Sequence, residues 1–183
     1  MVEVSAGKLL IADPFLKDPN FMRSVVFICE HKEDGSFGFV LNKPHDQLLG
    51  DLLQGLEASL FPVYYGGPVQ QDTLHFIHQR PDLIPGGAEV IDGIFWGGDF
   101  EIVLDLMKEE SLTPRDIRFF IGYSGWSEGQ LDEEMKTNSW LTTDATRKLL
   151  FPKNVDETWK ESLKQLGGEY VQLINYPIDP QLN

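Results

Sequence analysis

Two apolar runs separated by a short polar connection set the strongest limit on what this chain can fold into. Ser24-Val-Val-Phe-Ile-Cys-Glu-His31 and Phe37-Gly-Phe-Val-Leu-Asn42 flank Lys32-Glu-Asp-Gly-Ser36. That Gly-containing connection has hairpin length, so the two runs are expected to pair as antiparallel strands. A half-solvated sheet would alternate apolar and polar residues along each strand. These runs are apolar at successive positions, so something must cover both faces, and helices are the natural cover. With 183 residues, 42% of them hydrophobic and including 12 Phe and 4 Trp, the chain can fill such a core. The length fits a single domain over residues 1–183.

The rest of the chain supplies both kinds of element. Lys8 to Ala12 is a short apolar segment, followed by turn chemistry at Asp13-Pro14 and Asp18-Pro19-Asn20. Leu49, Leu52, Leu53, Leu56 and Leu60 predict an amphipathic helix over Gln47 to Leu60, despite a cost of about 1 kcal/mol for each of the interior glycines Gly50 and Gly55. Val63 to Tyr65, Thr73 to Gln79, Ala88 to Ile91 and Ile94 to Trp96 read as strands, the last two joined through Asp92-Gly93. Phe100, Val103, Leu104 and Met107 then fall on one helical face, with Asp99 placed to cap the helix and its end near Glu110. A strand follows at Ile117 to Tyr123. Helices are predicted over Thr143 to Phe151 and Asn154 to Gly168, the second capped by Asn154 and stopped by Gly167. Tyr170 to Ile174 reads as an edge strand in a C-terminal tail, residues 169–183.

Charge and cysteine content narrow the functional classes. Twenty-nine Asp and Glu against 15 Lys and Arg give a formal charge of -14, and such a field repels phosphate backbones and anionic membrane surfaces. Direct nucleic-acid binding is therefore not expected. The single cysteine, Cys29, allows no intrachain disulfide and suits a reducing compartment. The N-terminus lacks a basic region leading into an apolar stretch, and no uninterrupted apolar run approaches the roughly 18 residues that cross a bilayer. The expected location is cytoplasmic.

Complete catalytic motifs are lacking. Gly122-Tyr-Ser-Gly-Trp126 invites comparison with a G-x-S-x-G nucleophile elbow, but Trp126 stands where the motif needs its last glycine. A structural account covers the same residues, with Ser127 as helix cap, Gln130 completing a capping box and Trp126 stapled against Leu131. His75 and His78 lie three apart on a strand and so face opposite ways, which argues against a shared metal ion. No glycine pair has the companions of a phosphate-binding loop. No cofactor and no metal are expected.

Several separate motifs, in order along most of the chain, resemble the YqgE/AlgH family of bacterial proteins. They are Leu9-Leu-Ile-Ala-Asp-Pro14, Asp18 with Phe21 and Arg23-Ser-Val-Val26, Glu30-His31, Gly38-Phe-Val-Leu-Asn-Lys-Pro44, Gly66-Gly-Pro-Val69, His78, and Gly122-Tyr-Ser-Gly-Trp-Ser-Glu-Gly-Gln-Leu131 with Trp140. The resemblance implies an α+β fold in which a mixed, largely antiparallel sheet folds into a pseudo-barrel flanked by helices, in the bacterial cytoplasm. It implies no particular activity. The AlgH name comes from an association with alginate production, from which the family has been labelled a transcriptional regulator. Members commonly carry Ala where this chain has Ser124, which counts against a nucleophile there. The tail, residues 169–183, departs from the family pattern.

Two functional expectations follow. The first is a non-catalytic regulatory or binding protein acting through a protein or small-molecule partner. The second is a small-molecule binder or enzyme with a cleft near the first hairpin, where Arg23, Asn42 and Lys43 flank His31. In that case His31 would serve as acid, base or ligand contact and Arg23 or Lys43 would hold an anion, with His78 as a further candidate at a strand end. The second expectation requires His31, Arg23 and Asn42 to converge on one pocket.

Overall fold

The structure is a computed structural model that describes residues 4–175. In chain order the elements are β1 (Lys8–Ala12), β2 (Val25–Lys32), β3 (Gly35–Val40), α1 (Leu49–Leu52), β4 (Val63–Tyr65), β5 (Val69–His78), β6 (Ala88–Ile91) and β7 (Ile94–Trp96). There follow α2 (Phe100–Lys108), β8 (Ile117–Ser127), α3 (Gln130–Lys136), β9 (Trp140–Asp144), α4 (Arg147–Leu150) and α5 (Thr158–Leu166). Single-turn 3-10 structure precedes α5 at Val155–Glu157, and a longer 3-10 segment, Gly168–Asn175, follows it.

Among the described residues nine strands form one sheet in the order β6-β7-β5-β8-β3-β2-β1-β9, with β4 beside β8. The sheet curls into a half-barrel, and its pairings are antiparallel apart from the parallel match of β4 with β8. Strand β8 joins the two halves of the curl. Its first part, through Tyr123, pairs with β5 and β4, and Ser124 to Ser127 pair with β3. The corner falls at Gly122, whose φ is +71° and where a Cβ would lie 2.6 Å from the Gly67 carbonyl oxygen. Only glycine tolerates both that backbone and that approach.

Three apolar clusters explain the unbroken hydrophobic runs. The inner face, with Phe27, Phe39, Ile77 and Phe120, continues through both halves and is closed by Leu149 and Leu150 of α4 and Trp159 and Leu163 of α5. On the outer side of one half, Phe76, Ile117 and Phe119 pack on Val103 and Met107 of α2. On the outer side of the other, Leu10, Val26, Ile28 and Trp126 pack on Leu131 of α3 and on Trp140. Helices thus cover both faces of the first hairpin's sheet, as its apolar pattern demands.

Four local expectations are corrected. The helix predicted over Gln47 to Leu60 is only the four residues of α1. The chain folds back instead, so that a Cβ on Gly50 would lie 2.6 Å from the Ser59 carbonyl oxygen and 2.7 Å from that of Leu56, and Leu60 is 81% exposed. The helix predicted over Thr143 to Phe151 shrinks to α4, because Thr143 and Asp144 pair with Leu9 and Lys8 and so complete β9. Tyr170 to Ile174 is 3-10 helix rather than an edge strand, with Tyr170 and Leu173 packed on the inner core. Finally, Ser127 ends β8, and Gly129, with φ +74°, occupies the cap of α3. Gln130 still reaches back, its Oε1 accepting the Ser127 N–H at 3.0 Å.

Candidate functional site

A one-residue irregularity in β2 organises the neighbourhood of the hairpin tip. Ile28 pairs with Gly38 and Glu30 with Phe37, so Cys29 is an extra residue on β2, a β-bulge. Bulges re-aim the side chains that follow them. Cys29 lies in the inner cluster, and Glu30 joins Phe37 and Phe39 on the same side, lining one cavity. His31 is thereby turned to the α3 side, where it lines a second cavity with Asp132 and Met135.

The inner cavity is a cleft of about 540 Å³ between the hairpin tip and β7, within the range of small-molecule sites. Its walls are aromatic rings from four neighbouring strands: Phe37 and Phe39 of β3, Tyr123 of β8, His75 of β5 and Trp96 of β7. Phe37 meets Trp96 at 4.7 Å between centroids and 62°, and Tyr123 at 6.2 Å and 78°, while His75 meets Tyr123 at 5.8 Å and 86°. Phe39 is buried and stacked on Phe120, whereas Phe37, His75, Trp96 and Tyr123 are half-buried, their rings partly open to the cleft. Glu30 and Asp34 also line it. His75 Nε2 lies 2.9 Å from Thr73 Oγ1, and burial lowers its pKa, which keeps the ring neutral near neutral pH.

The outer cavity, about 760 Å³, lies between α3, β9 and the C-terminal 3-10 segment. It mixes charges of both signs, Asp132 and Lys136, with Trp140, Met135 and Tyr170. Thr142 lines it, and its buried Oγ1 has no partner among the described residues. At its edge Ser36, His31 and Asp132 form a row, with His31 Nδ1 at 2.5 Å from Ser36 Oγ and Nε2 at 3.8 Å from Asp132 Oδ1. The row has the residue types of a hydrolytic triad but not its setting. Ser36 sits inside a strand paired on both sides, where backbone N–H groups serve the ladder rather than an oxyanion, and Asp132 lies beyond hydrogen-bond reach.

The structure divides the sequence candidates rather than gathering them. Arg23 and Asn42 lie at the opposite end of the hairpin from His31, eight residues of chain and so roughly 25 Å away. There Asn42 accepts the Val25 N–H at 3.0 Å and donates to the Arg23 carbonyl at 2.9 Å. Lys43 donates to the carbonyls of Pro19 and Asn20, with burial lowering its pKa against the opposing pull of Asp18. The Arg23 guanidinium lies 4.5 Å from the centre of the Trp159 ring. These three groups fasten the turn before β2. His78 is fully buried on the α2 side of β5, facing away from His75, with both ring nitrogens bonded to backbone. Ser124 is also fully buried and donates to the Gly66 carbonyl at 3.1 Å.

Sequence reasoning missed Glu30, Asp34, Phe37, Phe39, His75, Trp96 and Tyr123 as a group. The available signal was the aromatic residue at alternate positions 37 and 39; nothing local marks Trp96 or Tyr123 as their neighbours. Arg118 was missed as well. Its guanidinium is buried over the Tyr64 ring at 3.9 Å and donates to the carbonyls of Leu150 and Leu41, and burial lowers its pKa to about 10.

Fold and site together define an α+β protein built on a curled, largely antiparallel half-barrel with an aromatic cleft at its first hairpin. The chain belongs to the AlgH-like family, which matches residues 9–171, as the motif resemblance led one to expect. It is 46% identical over 177 residues to the UPF0301 protein of Chlorobium limicola, covering 97% of this chain and 95% of that protein. The solution structure of AlgH from Pseudomonas aeruginosa superposes with a TM-score of 0.74 at 28% identity, covering 97% of this chain and 98% of that one. The crystal structure of DIP2367 from Corynebacterium diphtheriae has the same fold, with a TM-score of 0.79 at 19% identity over 96% of this chain and 94% of that one. None of these names carries a substrate or a reaction, so a functional reading rests on the site.

Proposed function

We propose that this protein is a non-catalytic, cytoplasmic binding protein that takes a small organic ligand in the aromatic cleft at the tip of the β2–β3 hairpin. Any regulatory role then works through occupancy of that cleft or a protein partner rather than through contact with DNA. The observation that carries this reading is the set of half-buried rings from four strands facing one concavity, since water-exposed aromatic surface in a cleft is costly unless something covers it. The formal charge of -14 supports the exclusion of DNA. No helix among the described residues is long and apolar enough to cross a membrane.

The test is a thermal-shift screen of a metabolite panel against the wild type, Trp96→Ala and His31→Ala. Compounds that stabilise the wild type are expected to lose their effect on Trp96→Ala and keep it on His31→Ala, because the two residues line cavities on opposite faces of the hairpin. The reverse pattern would move the site to the outer cavity. A panel in which nothing stabilises the wild type would count against a small-molecule ligand altogether.

A further inference from the structure

The charge around the cleft names the class of its occupant. Among the described residues, Glu30 and Asp34 lie on its lining, while no Lys or Arg does. The remaining titratable ring, His75, is held neutral by burial. Glu30 does not face the cleft by ordinary strand alternation; the bulge at Cys29 puts it there. Its carboxylate already holds one cation, the Lys32 ammonium at 2.6 Å, in a pair exposed enough for a competing cation to exchange into. The steep contacts between Phe37, Trp96 and Tyr123 matter as well. In an edge-to-face pair, the ring presenting its edge keeps both of its negatively polarised faces free.

Resting on the reading of this cleft as the binding site, we infer that its ligand is an organic cation. A methylated ammonium or a cationic heteroaromatic ring seats against Phe37, Trp96 and Tyr123 and is balanced by Glu30 and Asp34. A methylated or delocalised cation fits better than a primary ammonium. The ring walls offer few acceptors to replace the water that a primary ammonium would lose, whereas N-methyl groups gain from aromatic faces. The outer cavity makes no such selection, since Asp132 and Lys136 both line it.

The test compares two pairs of probes by calorimetry and by tryptophan fluorescence. One pair is choline and its neutral carbon isostere 3,3-dimethylbutan-1-ol; the other is 1-methylnicotinamide, a pyridinium cation, and neutral nicotinamide. Each cation is expected to bind roughly tenfold more tightly than its neutral partner, with the preference shrinking as salt is raised. Glu30→Gln, nearly isosteric and checked by circular dichroism, should remove most of that preference. Lys32→Met should raise cation affinity, because it frees the Glu30 carboxylate. Equal binding of cation and isostere, lost in Trp96→Ala, would overturn the cation inference and leave the cleft as the site. Binding unaffected by Trp96→Ala would overturn both, and no binding of any of the four probes would overturn the cation inference.

Discussion

His78 was a candidate ligand contact from sequence, and its geometry instead makes it a buried clamp with a testable signature. Arg80 can only donate its backbone N–H to Nδ1, at 3.1 Å, and Gly97 can only accept through its carbonyl from Nε2, also at 3.1 Å. The ring must therefore be the neutral tautomer with its hydrogen on Nε2. It also stacks on Phe95, with centroids 5.5 Å apart and 14° between planes. His78→Phe keeps a ring of similar size in the stack and strands two backbone groups. Each stranded group costs about 1–3 kcal/mol when fully buried, and because Arg80 and Gly97 are themselves half-buried, the sum falls near the low end, about 2–3 kcal/mol. For a chain of this size that is a fall of roughly 5–10 °C in melting temperature. The pH dependence supplies a second reading. Burial lowers the His78 pKa, with the Gly97 bond and Asp82 opposing. In the unfolded chain the imidazole protonates near about 6.5, so stability from neutral His78 is fully present above that pH and is lost as pH falls below it. Urea unfolding of wild type and His78→Phe at pH 7.5 and 5.5 isolates this effect, because His75 and the carboxylates are common to both. The stability difference should be about 2–3 kcal/mol at pH 7.5 and smaller at pH 5.5. A difference under about 0.5 kcal/mol at pH 7.5, or one that grows on acidification, would refute the tautomer and the clamp.

Asn42→Ala removes the partner of the Val25 N–H and of the Arg23 carbonyl and should cost about 1–3 kcal/mol in urea unfolding. Choline titrations on that variant should match the wild type, and a loss of binding would return Asn42 to the ligand site. Cys29 is buried, and burial together with the neighbouring Glu30 raises its thiol pKa. Native protein should therefore react with a thiol reagent only as fast as it opens; labelling as quick as in urea would contradict the packing of the bulge.

The secondary elements fixed by short-range pattern were legible, and those decided by distant partners were not. The first hairpin, the strands around Asp92-Gly93 and the helix capped by Asp99 follow from residues within a few positions of one another, and all stand in the structure. Leu49 to Leu60 has helical spacing too, but its apolar residues are drawn to Phe76, Val103 and Phe119 from elsewhere in the chain, and Gly50 lets the backbone fold against Ser59. Thr143 and Asp144 lack any local mark of a strand and are recruited by β1. The cleft was illegible for the same reason. Phe37, His75, Trp96 and Tyr123 become neighbours only once β7, β5, β8 and β3 lie side by side, and no spacing in one sequence states that order. The first hairpin does border a cleft, but its lining comes from residues other than Arg23, His31, Asn42 and Lys43.

The hairpin and the Gly122 signature turn out to be two walls of one structure. Were Cys29 paired in regular register instead of bulged, alternation would place Glu30 with Ile28 against Trp126 and Leu131, and His31 would face the aromatic rings. A carboxylate would then lie in an apolar cluster and an imidazole in the cleft, so the same three residues would make a different protein surface. On the opposite wall, just past the corner at Gly122, the pairing of β8 with β5 ends at Tyr123 and its pairing with β3 begins at Ser124, and Tyr123 stands at that handover with its ring in the cleft. The bulge before Glu30 and the glycine corner at Gly122 thus do local work of an ordinary kind. Their joint effect is to face a carboxylate-bearing hairpin tip with an aromatic wall.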